Sequence, residues 1–231
     1  MKNLITELYK KINKKSEEFE FRKINNIIKS EFKEDVFSLL DVGSGFCGFA
    51  NYIRVNFSNA NISCVDINKD LVKLAEQQGF KAIIGKITNL PYADNSFDII
   101  HCSHVIEHLG YPDIIIALNE LIRVTKTEGL IIIRSPLWAN HRFYNDIDHV
   151  RPYPPDSILN YFTNLQQQQV GKDEVCEIDR WYTRIYYEIN PYKFTLKIIS
   201  YINIALKLCW LTFSFPCDRP NNYGIVLKKK N

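Results

Sequence analysis

The sequence predicts an α/β fold, a doubly wound and mostly parallel sheet with helices on both faces. Between residues 36 and 134, apolar runs of strand length alternate with stretches of helical periodicity. The strand runs show little alternation of polar and apolar residues, which is typical of strands buried on both faces. Apolar residues make up 46% of the 231 positions, so one core and a single domain are expected.

The N-terminal segment, residues 1–34, is predicted to form a helical cap. Its Leu, Ile and Phe residues recur at helical spacing between lysines and glutamates. It contains no continuous apolar run, so we do not expect an export signal. Residues 35–231 are then the main domain, in which 135–215 supply loops and helices on the substrate side.

The remaining elements follow in chain order. The predicted strands cover 36–42, 62–66, 82–84, 97–102, 130–134 and 223–227. The predicted helices cover 48–57, 70–79, 112–126 and 156–169. An aromatic loop rich in His and Pro runs from residue 136 to 155.

The stretch 194–215 predicts an apolar helix inserted before the last strand. Lys197, Asn203 and Lys207 interrupt it, so no uncharged run is long enough to cross a bilayer. Its polar residues fall on a narrow face, which suits a packed lid, a dimer contact or an interfacial helix at a membrane surface.

Composition excludes several classes of partner and compartment. The 29 Lys and Arg residues against 26 Asp and Glu give a net charge of +3 without a basic cluster, so no nucleic-acid partner is expected. The six cysteines form no C-x-x-C pair, which favours a reducing, cytoplasmic location. They are Cys47, Cys64, Cys102, Cys176, Cys209 and Cys217.

The loop after the first predicted strand carries the first chemical signal. Residues 43–48, GSGFCG, satisfy G-x-G-x-x-G, and Asp66 follows about twenty residues on, as in a dinucleotide site. Asp41 precedes the glycines and would repel a pyrophosphate, whereas it would attract the ammonium and sulfonium of S-adenosylmethionine. Asp66 is placed to accept from ribose hydroxyls, and Ile67 to cover an adenine face.

At these residues the chain resembles the class I S-adenosylmethionine-dependent methyltransferases, in particular the type 11 and type 23 domains of small-molecule and lipid methyltransferases. The resemblance continues through residues 90–100, LPYADNSFDII, and 104–109, HVIEHL. It implies a Rossmann-like fold with a sheet of seven strands, and S-adenosylmethionine as cofactor. By this resemblance Asp41, Gly43, Ser44 and Gly45 hold the methionine end, Asp66 holds the ribose, Ile67, Lys86 and Ile87 contact the adenine, and Ser103 with His104 forms the reacting edge.

One position departs from the family pattern. Similar proteins usually have an aspartate where this chain has Lys86, and a lysine can only donate hydrogen bonds. The backbone of Ile87 can still serve the adenine amino group.

Methyl transfer is an in-line displacement, so a base is needed only to remove a proton from an oxygen or nitrogen nucleophile. His104 and His149 are the candidate bases. His149 lies in residues 146–153, DIDHVRPY, which follow the fifth strand and are similar to a D-H-x-R-P-Y/F segment of the family. There Asp148, Arg151 and Tyr153 are candidate substrate-side residues: Asp148 to orient His149, and Arg151 either to bind an acidic group or to hold the loop.

A metal site is the alternative interpretation of the same residues. His104, Glu107 and His108 have the i, i+3, i+4 spacing of one helical face and could chelate a metal together with His149. Metal-using methyltransferases resemble an acid-x-x-acid-His pattern, and the first position here is a histidine. We therefore expect no metal, and Glu107 with His108 is the alternative.

The sequence thus predicts a methyltransferase that acts on an oxygen or nitrogen, or a carbon, of a small-molecule, lipid-like or glycan acceptor. Two other functions stay open: an NAD(P)-dependent oxidoreductase, which the glycine pattern permits, and a non-catalytic module that binds S-adenosylmethionine. A cytoplasmic location is expected, with peripheral membrane contact through 194–215 if that helix is interfacial.

Overall fold

The computed structural model describes residues 2–33, 35–137, 141–163, 173–184, 197–215 and 220–230. The helices are α1 (Lys2–Glu31), α2 (Gly48–Asn56), α3 (Lys69–Gln77), α4 (Asp113–Val124), α5 (Pro155–Thr163) and α6 (Lys197–Phe213). The strands are β1 (Ser38–Val42), β2 (Asn61–Asp66), β3 (Lys81–Ile84), β4 (Phe97–Ser103), β5 (Thr125–Pro136), β6 (Val175–Thr183) and β7 (Asn222–Lys229). Short 3-10 turns cover Ile106–His108 and His141–Asn145.

The strands form one seven-stranded sheet in the order β3-β2-β1-β4-β5-β7-β6. Strands β1 to β5 pair in parallel, and β7 runs antiparallel to both β5 and β6. Helices α1 to α3 cover one face, and α4 with α5 covers the other, each over its own apolar core. The predicted α/β, doubly wound, seven-stranded fold is therefore confirmed. The strand order reverses between β1 and β4, which is where such sheets bind ligands.

Several element boundaries differ from the sequence prediction. The first strand begins at Ser38 rather than at residue 36, and β5 extends back to Thr125. Of the predicted helix 156–169, the structure describes the part up to Thr163, with its start at Pro155, and 164–169 lie outside the described residues. Strand β6 had no predicted counterpart because its exposed and half-buried polar positions break the apolar run expected of an inner strand.

Helix α6 packs along α1. Trp210 is buried beside Ile12, and Lys15 Nζ donates to the carbonyl of Leu211 at 2.9 Å while lying 4.9 Å from the Trp210 ring centre. The polar residues Asn203 and Lys207 are buried, whereas Tyr201, Leu208 and Phe213 are exposed. Trp210 is therefore a packing residue, and the exposed apolar residues lie on other parts of this helix. Among the described residues, no helix combines the length and apolarity required to cross a membrane.

The cysteines behave as small apolar residues in this fold. Cys47, Cys64 and Cys102 are buried, and these three together with Cys176 and Cys209 are unpaired thiols. Burial is the main reason that the pKa values of Cys47, Cys64 and Cys102 are raised, which keeps these thiols protonated and unreactive. Cys217 lies outside the described residues.

Candidate active site

Two cavities open at the carboxyl ends of β1, β2 and β4. The first, which we call the α1-side cavity, has a volume of about 560 Å³ and lies between the glycine loop and helix α1. The second, the β2-side cavity, has a volume of about 620 Å³ and lies beyond the end of β2. Gly43 and His104 line both cavities. A ligand that crosses these two residues can therefore occupy both spaces, each of which has the size of a small-molecule site.

The glycine loop passes from β1 across to β2. Gly43 N donates to the carbonyl of Val65 at 2.8 Å, and Gly43 has a φ of +69°. A Cβ at this position would lie 2.3 Å from Cγ2 of Val105, so only glycine fits. The loop is thereby held flat against the end of the sheet, where a ligand can approach its backbone.

Asp66 fixes the same loop from the end of β2. Its Oδ2 accepts from Gly45 N at 3.0 Å, and its Oδ1 accepts from Asn68 N at 2.8 Å. Each carboxylate oxygen keeps a further acceptor position, and Asp66 lines the β2-side cavity. The predicted ribose acceptor therefore stands at the cavity wall with its orientation set by backbone donors.

Asp41 is buried and paired with a residue that the sequence analysis did not select. His101 Nδ1 lies 2.7 Å from Asp41 Oδ1, and both residues line the α1-side cavity. A carboxylate can only accept, so His101 Nδ1 carries the hydrogen and Nε2 of the neutral ring is an acceptor. That Nε2 has no hydrogen-bond partner among the described residues. Asp41 and His101 are register partners on parallel strands, and a histidine within the apolar run of β4 was the signal that could have identified it.

The buried pair predicts a specific dependence of stability on pH. Burial lowers the pKa of His101 below its ordinary value of 6.5, although Asp41 opposes this. The unfolded chain therefore binds a proton below pH 6.5 that the folded protein does not. The contribution of this group to stability is complete above pH 6.5 and is lost as the pH falls below it.

We therefore expect His101→Asn, which can still donate to Asp41, to remove part of the loss of stability in acid. Urea unfolding from about pH 7 to pH 5 should show a smaller slope, by up to about 1.4 kcal/mol per pH unit. Identical slopes for the variant and the parent protein would show that His101 already binds its proton in the folded state at these pH values.

The predicted adenine contacts lie together in the β2-side cavity. Ile67, Lys86 and Ile87 line this cavity; Ile67 is exposed there and Ile87 is buried. Lys86 pairs through its backbone with Asn89 in the turn that follows β3. The three residues thus form one wall of apolar side chains and backbone groups.

Helix α1 closes the α1-side cavity with a buried charged pair. Glu20 contacts Nη2 of Arg134 at the end of β5, and it also accepts from Trp181 Nε1 at 3.2 Å. Both members of the pair line the cavity, and Arg134 Nε has no partner among the described residues. Neither residue was a candidate from the sequence; a charged residue directly after the apolar run 130–133 of β5 was the available signal for Arg134.

His104 follows Ser103 directly after β4. Its φ of +55° is uncommon for a residue other than glycine, and its N–H donates to the Arg134 carbonyl at 2.9 Å. His104 Nδ1 lies 3.2 Å from Glu107 Oε1, and Glu107 is fully buried. The expected helical face of His104, Glu107 and His108 is not formed, because the left-handed backbone at His104 precedes a single 3-10 turn.

The loop 146–153 joins this turn through the backbone. Val150 N and Arg151 N both donate to the Glu107 carbonyl, at 2.9 and 3.2 Å. His149 Nδ1 bonds to the Phe143 carbonyl at 2.7 Å, and its Nε2 lies 3.8 Å from Asp146 Oδ2. The acid that faces His149 is thus Asp146, whereas Asp148 contacts His108 through its backbone carbonyl.

The two other substrate-side candidates have structural contacts. The Arg151 guanidinium lies 5.7 Å from the centre of the Tyr153 ring. The Tyr153 hydroxyl donates to the Leu109 carbonyl at 2.7 Å, and burial raises its pKa. These contacts fix the loop, and neither residue lines the two cavities.

Comparison with known proteins agrees with this geometry. Residues 40–133 match the family model described as a methyltransferase domain. The chain is 33% identical over 118 residues to an uncharacterized protein of Methanocaldococcus jannaschii, covering 51% of this chain and 49% of that protein. It is 28% identical over 139 residues to the uncharacterized methyltransferase YcgJ of Bacillus subtilis, covering 55% of this chain and 47% of YcgJ. The chain spans about half the length of the curated relatives it matches.

A solved structure extends the likeness to most of the chain. An S-adenosylmethionine-dependent methyltransferase from Archaeoglobus fulgidus superposes with a TM-score of 0.57, over 90% of this chain and 94% of that one, at 20% identity. This shows a common fold. The matched domain begins within β1 and ends within β5, so it contains the glycine loop, Asp66 and the turn with Glu107. The match of residues 40–133 shows a methyltransferase domain in this chain, and its fold is that of a solved S-adenosylmethionine-dependent methyltransferase.

Proposed function

We propose that the protein transfers a methyl group from S-adenosylmethionine to an oxygen or nitrogen of a polar small molecule or glycan. The observation that carries this proposal is the pair of cavities that meet at Gly43 and His104. The nucleoside lies in the β2-side cavity, and the methionine end and acceptor share the α1-side cavity. The sulfonium then lies near His104.

The polar groups of the α1-side cavity match the methionine end. Asp41 and Nε2 of His101 are both acceptors, and they suit an ammonium group. Arg134 Nε, which has no partner within the described part of the chain, supplies a donor for a carboxylate. A pyrophosphate would meet Asp41 with like charge, which disfavours the oxidoreductase alternative.

His104 is the better placed of the two candidate bases. It lines both cavities, whereas His149 lines neither. Because Glu107 accepts from His104 Nδ1, Nε2 of the neutral ring is free to take a proton from an acceptor group. Glu107 acts as a positioning residue in this scheme.

The lining of the α1-side cavity favours a polar acceptor. Asn13, Ser16 and Glu17 of α1 face it together with Asn221 and Asn222 before and at the start of β7. Helix α6 contributes no described residue to either cavity. An apolar α6 wall, which would favour a lipid-like acceptor, is therefore not seen in the described part of this helix.

The proposal is tested by following S-adenosylhomocysteine release with panels of hydroxylated, amino and glycan acceptors. We expect turnover with a polar acceptor, and we expect His104→Ala to lower kcat by about 100-fold while the Kd for S-adenosylmethionine changes little. His149→Ala measured in parallel separates the two candidate bases. Binding of the cofactor without turnover of any acceptor class would instead support a non-catalytic module.

A further inference from the structure

Three side chains from two segments meet beside His104. Glu107 and His108 come from the 3-10 turn after β4, and His149 comes from the loop anchored on that turn. One ligating atom from each lies within 4.8 Å of the others. The histidine rings contact each other, with ring centres 5.0 Å apart.

Backbone carbonyls fix which nitrogen of each histidine is free. His108 Nδ1 bonds to the Asp148 carbonyl at 3.1 Å, and His149 Nδ1 bonds to the Phe143 carbonyl at 2.7 Å. A carbonyl only accepts, so each Nδ1 carries the hydrogen and each neutral ring has its lone pair at Nε2. This is the arrangement found in metal-binding histidines, whose second nitrogen donates to a carbonyl or carboxylate.

Glu107 is held as rigidly as the histidines. It is fully buried, its Oε2 accepts from Ser135 Oγ at 3.1 Å, and its Oε1 faces His104 Nδ1 at 3.2 Å. Each oxygen keeps a further acceptor position. A buried carboxylate close to two imidazole rings is a donor set that divalent transition metals prefer over magnesium or calcium.

We infer that Glu107, His108 and His149 form a binding site for a divalent transition-metal ion such as zinc or cobalt, at the edge of the β2-side cavity. The sequence pattern disfavoured a metal because His104 holds the first position of the triplet. The three ligands converge without His104, since His149 supplies the third. His108 lines the cavity, so an ion here could hold an acceptor oxygen close to His104. That role rests on the proposed function, whereas metal binding itself does not.

The test uses the full chain after removal of metals with a chelator. Cobalt is titrated by calorimetry and by visible absorption, with zinc as competitor. We expect one ion per chain, and we expect His108→Gln and His149→Gln each to weaken binding at least tenfold. Asp148→Asn is the matched control from the same loop. Among the described residues its exposed side chain contacts none of the three ligands, and only its backbone carbonyl bonds to His108, so the affinity should stay within about threefold.

Two results would overturn the inference: no stoichiometric cobalt or zinc binding by the parent chain, or equal binding by the parent and both glutamine variants. Circular dichroism identifies a variant that fails to fold, and the other variant then decides. Titration of the metal-free chain with S-adenosylmethionine separates the two proposals. Cofactor binding without metal binding refutes only the metal site, and metal binding without cofactor binding refutes only the proposed function.

Discussion

Asp66→Ala is expected to weaken S-adenosylmethionine binding by about 100-fold or more. The carboxylate is the proposed acceptor for two ribose hydroxyls, and each charge-assisted hydrogen bond contributes about 1.5–3 kcal/mol. The change also removes the acceptor for Gly45 N, which holds the glycine loop against β2. Both effects act on the cofactor site, so calorimetry should show the loss while circular dichroism stays unchanged.

Asp70→Ala is the matched control for this result. Asp70 lies four residues further along, and its side chain is exposed at the start of α3, away from both cavities. We expect its effect on cofactor affinity to be less than about twofold. Equal affinities for Asp66→Ala and the parent chain would place the ribose elsewhere.

Glu20→Ala is expected to lower the free energy of unfolding by about 3 kcal/mol or more. Glu20 is 2% exposed and Arg134 is 6% exposed, so removal of the carboxylate leaves a buried guanidinium and the Trp181 N–H without their acceptor. Breaking a buried pair by removing one partner costs about 3–5 kcal/mol. Because this pair borders a cavity, we expect a loss of unfolding free energy near the lower of these values.

Urea unfolding measures this loss. Glu18→Ala is the control on the same helix, because the exposed Glu18 side chain pairs, among the residues that the structure describes, with Lys14 alone, at 3.9 Å. An exposed pair contributes about 0–1 kcal/mol. If the two variants lost the same stability, α1 would not be fastened to the sheet through Glu20.

Much of the sheet could be predicted because β1, β2, β4 and the second half of β5 are buried and so have continuous apolar runs. Strand β6 escaped prediction, since it lies at the sheet edge and mixes exposed charges with buried residues. The candidate cofactor residues Asp41, Gly43 and Asp66 could be selected because they follow in one order at the ends of consecutive strands. In the structure they line the two cavities.

The residues that were missed depend on contacts between distant segments. His101 faces Asp41 only because β1 and β4 pair in a particular register. Glu20 reaches Arg134 across 114 positions of chain, and spacing within the sequence does not reveal such a pair. The interpretation of residues 104–108 as one helical face was wrong because His104 adopts a left-handed backbone.

The central claim is that S-adenosylmethionine occupies the two cavities that meet at Gly43 and His104. Parallel calorimetric titrations of the purified chain with S-adenosylmethionine, S-adenosylhomocysteine and NADH test it most directly. We expect one site per chain for both adenosyl compounds, with micromolar Kd values, and no binding of NADH. Binding of NADH alone, or of none of the three, would contradict it.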